Sequence, residues 1–259
     1  MAGVEGIEPS SGVLETLILP MNYTPMKFAI SFYNKKLFMS MILKRKLVYG
    51  IIVIMKVERI VGDVFESNVF VCSNEHECFL IDAGAKPELL REAIGDKKVL
   101  AVLLTHGHYD HVFYALEYAK EFECKIFACK EIAEYIEDPF HNASEGHFEF
   151  HDFSNFEFFD DDATLNLGDF EIQTIKLGGH TKSDVAYLCD GELFVGDVFV
   201  GRDIGRVDLF GGDIIIMAKS LEKLLEINYE NMHSGHGQDN KKNVQDFAIK
   251  IWLKFLKRK

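Results

Sequence analysis

No apolar stretch in this chain of 259 residues is long enough to cross a membrane. The best candidate, 47–55, has nine residues, where a helical span needs about twenty. It follows the basic cluster Lys44-Arg45-Lys46 in the manner of a signal peptide, but it lies deep in the chain and no small-residue cleavage site follows. Cysteine is scarce and odd in number. Cys72, Cys78, Cys124, Cys129 and Cys189 lack zinc-knuckle spacing, and read as reduced packing residues of a cytoplasmic protein. Positive charge is short as well, with 28 Lys and Arg against 41 Asp and Glu. A body this acidic repels phosphate backbones and disfavours general nucleic-acid binding. Neither an internal repeat nor a low-complexity linker divides the chain, whose length suits one large domain or two small ones.

The charge is uneven. Residues 1–54 carry a net +3 and residues 55–259 a net −16. The first 54 residues also lack useful periodicity, so they read as an extension, disordered or a gene-model artefact, with Met55 as the natural start. Residues 55–259 then form the working domain. The basic end from Lys250 to Lys259 reads as the favourable end of a helix dipole.

What the chain does have is Thr105-His106-Gly107-His108-Tyr109-Asp110-His111, directly after the apolar run 99–104. That run suits a buried strand, which puts four metal-binding side chains on the loop leaving it. Alternate residues of an extended segment share a face, so His106 and His108 can reach one ion together. Asp110 and His111 follow once the chain has begun to turn and can address a second ion. Imidazole and carboxylate are the ligands of a borderline cation such as zinc. A His-rich turn without metal is the plainer alternative.

The spacing resembles the H-x-H-x-D-H signature of the metallo-β-lactamase superfamily, and the family's remaining motifs follow in order. Gly178-Gly179-His180-Thr181 supplies a His after a Gly-rich turn, Gly196-Asp197 an Asp at a strand end, and Ser234-Gly235-His236-Gly237 a late His. The resemblance implies that His106, His108 and His180 hold one ion, that Asp110, His111 and His236 hold another, and that Asp197 bridges them. Two divalent ions are expected, zinc first, with iron or manganese as alternatives. Asp82, in Asp82-Ala83-Gly84, resembles the family's D-x-G turn and is expected to orient the ligand loops without binding metal. Singly, His180 reads equally as a turn residue, Asp197 as a helix cap and His236 as a solvated loop residue. His76, His141, His147, His151 and His233 match no ligand position.

The patterning predicts strands at 57–61, 69–72, 78–82, 99–105, 125–128, 170–177, 183–189 and 192–195, with helices at 87–94, 112–122, 131–137, 213–227 and 240–256. Residues 139–162 are aromatic and acidic, and read as a long loop, either packed or walling a substrate cleft. Strand-rich halves with intervening helices suit the family's α/β fold, a four-layer αββα sandwich with the metals at one sheet edge.

A pair of dications lowers the pKa of bound water from 15.7 toward about 7, which makes a nucleophile without a Ser-His-Asp triad. Asp110 is the expected proton shuttle. The stretch from Gly196 to Asp213, including Ile204-Gly205-Arg206, resembles glyoxalase II-like hydrolases and points to a thioesterase similar to hydroxyacylglutathione hydrolase. An aspartate at the bridging position disfavours antibiotic hydrolysis. Two-domain members of that group carry a further C-terminal helical segment, so the chain resembles the short relatives. Arg202 or Arg206 is a candidate for a substrate carboxylate, or else a partner of Asp203 or Asp208. The expected partner is a small acyl-thioester or ester, with neither nucleic acid nor membrane. A lactonase, a phosphodiesterase and a non-catalytic metal-binding protein are the other readings.

Overall fold

The computed structural model describes residues 47–48, 51–52, 55–160 and 162–257. The expectations for residues 1–54 lie outside the described residues, apart from the backbone pairing of β1 (Leu47–Val48) with β2 (Ile51–Ile52).

The first sheet is built from β3 (Lys56–Val61), β4 (Asn68–Ser73), β5 (Glu77–Ile81), β6 (Lys98–Leu103), β7 (Lys125–Cys129) and β8 (Phe156–Phe159), in that spatial order. The hairpin pairs β3–β4 and β4–β5 are antiparallel, and β5 to β8 run parallel. Helices α1 (Pro87–Ile94), α2 (Tyr109–Val112), α3 (Ala115–Glu121) and α4 (Ile132–Ile136) make the crossovers that parallel pairing requires. The second sheet has β9 (Thr164–Leu167), β10 (Phe170–Lys176), β11 (Val185–Cys189), β12 (Glu192–Phe194), β15 (Asn231–His233) and β16 (Asn240–Lys241), with β9 and β16 at its edges. Between β12 and β15 lie the small hairpin β13 (Phe199–Val200) with β14 (Asp203–Ile204), and helix α5 (Ile214–Glu226); α6 (Lys242–Leu256) closes the fold.

The sheets meet through aromatic side chains. Phe70 of β4 lies edge-on to Phe194 of β12 at 5.3 Å, and Phe79 of β5 to Phe170 of β10 at 5.0 Å. Tyr187 of β11 is fully buried, and its hydroxyl donates to the Leu104 carbonyl at 2.7 Å. The hydroxyl thereby has the partner that a buried polar group requires. Leu90, Ala115, Tyr118 and Ala119 from α1 and α3 join this core. On the far face of the second sheet, Met217, Leu221 and Leu224 of α5 pack with Ala248, Ile249 and Leu253 of α6 against Ile175, Ala186, Leu193 and Met232. Helix, sheet, sheet and helix therefore stack in the expected four layers. Among the described residues, no helix is long and apolar enough to cross a membrane.

The short strands β9, β13, β14 and β16 were not predicted, β16 taking the first two residues of the helix expected over 240–256, and further departures have identifiable causes. The helix expected over 112–122 starts at Tyr109 and is broken between α2 and α3. The Tyr114 N–H bonds to the Ala83 carbonyl, and the Ser67 hydroxyl donates to the Asp110 carbonyl, so tertiary partners replace the helical pairing there. Within the expected loop 139–162, Phe156–Phe159 forms an edge strand, because a nearly unbroken aromatic run hides the period of two. Strand β15, Asn-Met-His, is too short for any periodicity to show.

His233 of β15 is buried between two carboxylates, with Nε2 at 2.6 Å from Glu192 Oε2 and Nδ1 at 3.2 Å from Asp239 Oδ2. Burial alone would lower its pKa, but Asp239 and Glu192 outweigh burial and raise it. A raised folded value means a stabilisation that is complete below the ordinary histidine value of about 6.5 and is lost as pH rises through the folded value. His233→Gln should therefore destabilise the protein most in mildly acidic buffer and progressively less in alkaline buffer. Urea melts across pH check this; an equal loss at every pH would contradict it.

Candidate metal centre

Four strand ends deliver the ligand loops to one place. The chain leaves β6 into Thr105 and the two histidines, and α2 then carries Asp110 and His111. His180 sits on the turn between β10 and β11, Asp197 follows β12, and His236 follows β15. The structure brings all seven sequence-predicted ligands together in three overlapping groups: His106, His108 and His180; Asp110, His111 and His236; and His106, His111 and Asp197. Within each group the offered ligand atoms lie within 4.8 Å of one another.

Asp197 faces both triads. Its Oδ1 is 3.7 Å from His111 Nε2, and its Oδ2 is 3.8 Å from His180 Nε2 and 3.5 Å from His236 Nε2. Asp110 Oδ2 lies 3.1 Å from His236 Nε2 and 3.5 Å from His111 Nε2. His108 Nδ1 and His180 Nε2 approach to 2.8 Å.

The imidazoles are aimed from behind. Asp82 sits at φ 62° and accepts from the Thr105 backbone N–H, the Thr105 hydroxyl and His111 Nδ1. Since the Thr105 proton goes to Asp82, His106 Nδ1 donates to Thr105 Oγ1 at 3.0 Å, which leaves the Nε2 lone pair facing the cluster. His180 Nδ1 donates to the Arg206 carbonyl at 2.8 Å, so its Nε2 is bare in the same way. Hydrogen bonds of this kind fix tautomer and orientation at ligand histidines. Gly235 is a steric requirement, because a Cβ there would run into Asp197 Oδ1 and lie 2.7 Å from His111 Cε1.

The donor set fits divalent cations. His106 Nε2 and Asp197 Oδ1 are buried in the cluster and lack hydrogen-bond partners. Each such atom costs about 1–3 kcal/mol if nothing meets it. Burial, with the neighbouring imidazoles, holds the His106 and His108 pKa values well below the ordinary range, so both are neutral ligands. At His111, burial is outweighed by Asp110, Asp197 and Asp82, and the value rises to about 10. Burial would raise Asp110, yet His111 and His236 bring it down to about 2. The aspartate-bearing half thus attracts positive charge strongly, and protons compete with cations for it.

Some supporting residues escaped the sequence reading. Asp184 is buried and accepts from the backbone N–H groups of His180 and Thr181 and from the Thr181 hydroxyl, which pins the His180 turn. Its only signal was an acidic residue opening an apolar strand. Tyr135 accepts the Lys182 N–H, and its ring lies 6.3 Å from that of His108. In the 139–162 segment, Phe148, Phe150 and Phe153 pack on the core, while the Asn142 carbonyl accepts from Tyr109 N–H and His141 stacks on Phe210 at 3.4 Å. The arginines stand outside the cluster. Arg206 forms an exposed bidentate pair with Asp208 at 2.9 and 3.0 Å, and Arg202 is exposed on the β13–β14 turn.

Residues 62–236 match the metallo-beta-lactamase superfamily. Among proteins of known name, the chain is 28% identical over 194 residues to the probable metallo-hydrolase YqgX of Bacillus subtilis, covering 71% of this chain and 92% of that protein. It is 31% identical over 166 residues to a hydroxyacylglutathione hydrolase of Vibrio cholerae, covering 63% of this chain and 58% of that protein's length. Among solved structures, the BLEG-1 B3 metallo-beta-lactamase superposes with a TM-score of 0.69 at 26% identity, over 76% of this chain and 99% of that one. The chain belongs to the metallo-β-lactamase superfamily and has its fold of two mixed sheets with flanking helices. It is a metallo-hydrolase of that superfamily, with histidine and aspartate clusters suited to a dinuclear site.

Asp82→Asn keeps the shape but removes the charge that His111 and Thr105 lean on. It should weaken affinity for divalent cations about 10- to 100-fold, read by competition with a chromophoric chelator. Unchanged affinity would show that Asp82 does not orient the ligands.

Proposed function

We propose that this chain is a glyoxalase II-like thioesterase that cleaves acyl-thioesters such as hydroxyacylglutathione. The observation that carries the hydrolytic reading is the placement of Asp197, whose carboxylate lies 3.8 Å from His180 of one triad and 3.7 and 3.5 Å from His111 and His236 of the other. One carboxylate can thus serve two cations at once. The thioester reading is supported by the stretch from Gly196 to Asp213 and by the similarity to the Vibrio cholerae enzyme over 166 residues.

Zinc is the proposed metal, with iron or manganese as alternatives. Two such cations, when bound, supply Lewis acidity and bring the pKa of water toward about 7. His106, His108 and His180 would hold one; Asp110, His111 and His236 the other. The chain's own residues do the rest. Asp110, beside His236, is the residue proposed to take the proton released as water adds to the acyl carbon. The C–S bond then breaks, the proton passes to the sulfur, and a carboxylic acid and a thiol leave. Asp82, Thr105 and Asp184 keep the imidazoles in register. Of the two candidate arginines for a substrate carboxylate, Arg202 is proposed first, since Arg206 is already paired with Asp208. Five unpaired, buried cysteines support a reducing, cytoplasmic setting.

Assay of the metal-loaded full chain should give the highest kcat/KM on lactoylglutathione, compared with a lactone, a bis-aryl phosphodiester and a β-lactam. Faster turnover of any of the other three would overturn the thioesterase reading. Asp110→Asn should lower kcat by about 100- to 10,000-fold with little change in KM. Unaltered kcat would remove its proton-transfer role.

A further inference from the structure

The triad of Asp110, His111 and His236 is assembled from segments far apart in sequence, and its late histidine is held unlike the others. His106, His111 and His180 each engage a ring nitrogen from behind, through Thr105, Asp82 and the Arg206 carbonyl. Among the described residues, no such hydrogen bond reaches His236 Nδ1, and the His236 side chain is 26% exposed where those of His111 and His180 are 0% and 4%. Its chain is no stiffer. His236 lies between two glycines, and Gly237 sits at φ 74°, so the local backbone has the freedom that glycine brings.

The backbone on either side of His236 is gripped instead, from the other sheet. Asn68, at the start of β4, donates its main-chain N–H to the Gly235 carbonyl at 2.6 Å. Its side-chain Nδ2 donates to the carbonyls of Ser234 at 2.9 Å and Gly237 at 3.0 Å. Three carbonyls flanking one ligand thus converge on a residue that is itself buried. Arg59 of β3 adds a bond to the same Gly237 carbonyl. The preceding residue reaches across the triad. The buried Ser67 hydroxyl donates to the Asp110 carbonyl at 2.7 Å, and Ser67 pairs with His236 in an isolated antiparallel bridge. Gly84 leaves the space for this, because a Cβ there would run into Ser67 Oγ and the Asp110 carbonyl.

Buried carbonyls need donors in any core. Here, however, the acceptors that Asn68 and the Ser67 hydroxyl reach across the fold belong to a ligand residue or lie within two positions of one. None of these bonds goes to His106, His108 or His180. We propose that Ser67 and Asn68 are positioning residues for one half of the metal centre: Asn68 aims His236 through its backbone, and Ser67 holds Asp110 against it. Neither touches cation or substrate. The proposal rests on the ligand roles given above to Asp110 and His236.

The test is zinc titration of the metal-free full chain against a chromophoric chelator, with native mass spectrometry to count bound cations. Asn68→Ala should weaken one of two binding steps about 10- to 100-fold, the usual effect of losing a partner behind a ligand, and leave the other unchanged. Ser67→Ala, a smaller change, should weaken the same step by less, and it decides the matter should Asn68→Ala fail to fold. In a His236→Ala background, Asn68→Ala should add no further loss, because its effect passes through His236. Equal weakening of both steps would mean a general loosening of the fold and overturn the proposal. So would an additive loss in the double variant, or unchanged affinity in both single variants while His236→Ala is weakened. Full affinity for two cations in His236→Ala itself would instead remove the ligand assignment, and the proposal with it.

Discussion

Buried imidazole lone pairs and carboxylate charges tolerate one another only where positive charge meets them, and the fold around this site follows from that requirement. Five imidazoles and two carboxylates share one small region. Left to themselves, His106 Nε2 and Asp197 Oδ1 have no hydrogen-bond partner. Two cations would resolve the conflict, because the clustered imidazoles and carboxylates are suited to a dinuclear site. Asp197 is the element that makes the two positions one site, since it is the only ligand whose two oxygens address both triads.

The surrounding structure can be read as the machinery that keeps this region in register. Two sheets, packed by Phe70, Phe79, Phe170 and Phe194, fix the distance between the loops of β6 and those of β10, β12 and β15. Asp82 ties β5 to the His106 and His111 segments through three hydrogen bonds. Asp184 does the same for the His180 turn, and Tyr187 holds the Leu104 carbonyl just ahead of the first ligands. His233, held between Glu192 and Asp239, anchors the strand that leads to His236. Asp82 and Asp184 bond ligand residues directly, so their loss is felt first as misaimed imidazoles.

Much of this was legible in the sequence, for identifiable physical reasons. The motif from His106 to His111 is local, and its spacing alone makes a shared face. The helix at 87–94 was readable from Pro87 at its start and Gly95 after its end. The break between α2 and α3 was not, since the groups that interrupt it, Ala83 and Ser67, are remote in sequence. Asp184 was hidden because a buried acid is recognisable only by its donors, and these come from a turn. The strand Phe156–Phe159 was hidden because a continuous apolar run carries no single periodicity.

Metal stoichiometry tests the dinuclear centre most directly. Elemental analysis and native mass spectrometry of the full chain, purified in the presence of a divalent cation and then desalted, should find two cations per polypeptide. Asp197→Ala should lower that number while leaving the secondary structure intact. One cation or none in the unaltered protein, or two that persist without Asp197, would contradict the account of a carboxylate-bridged pair.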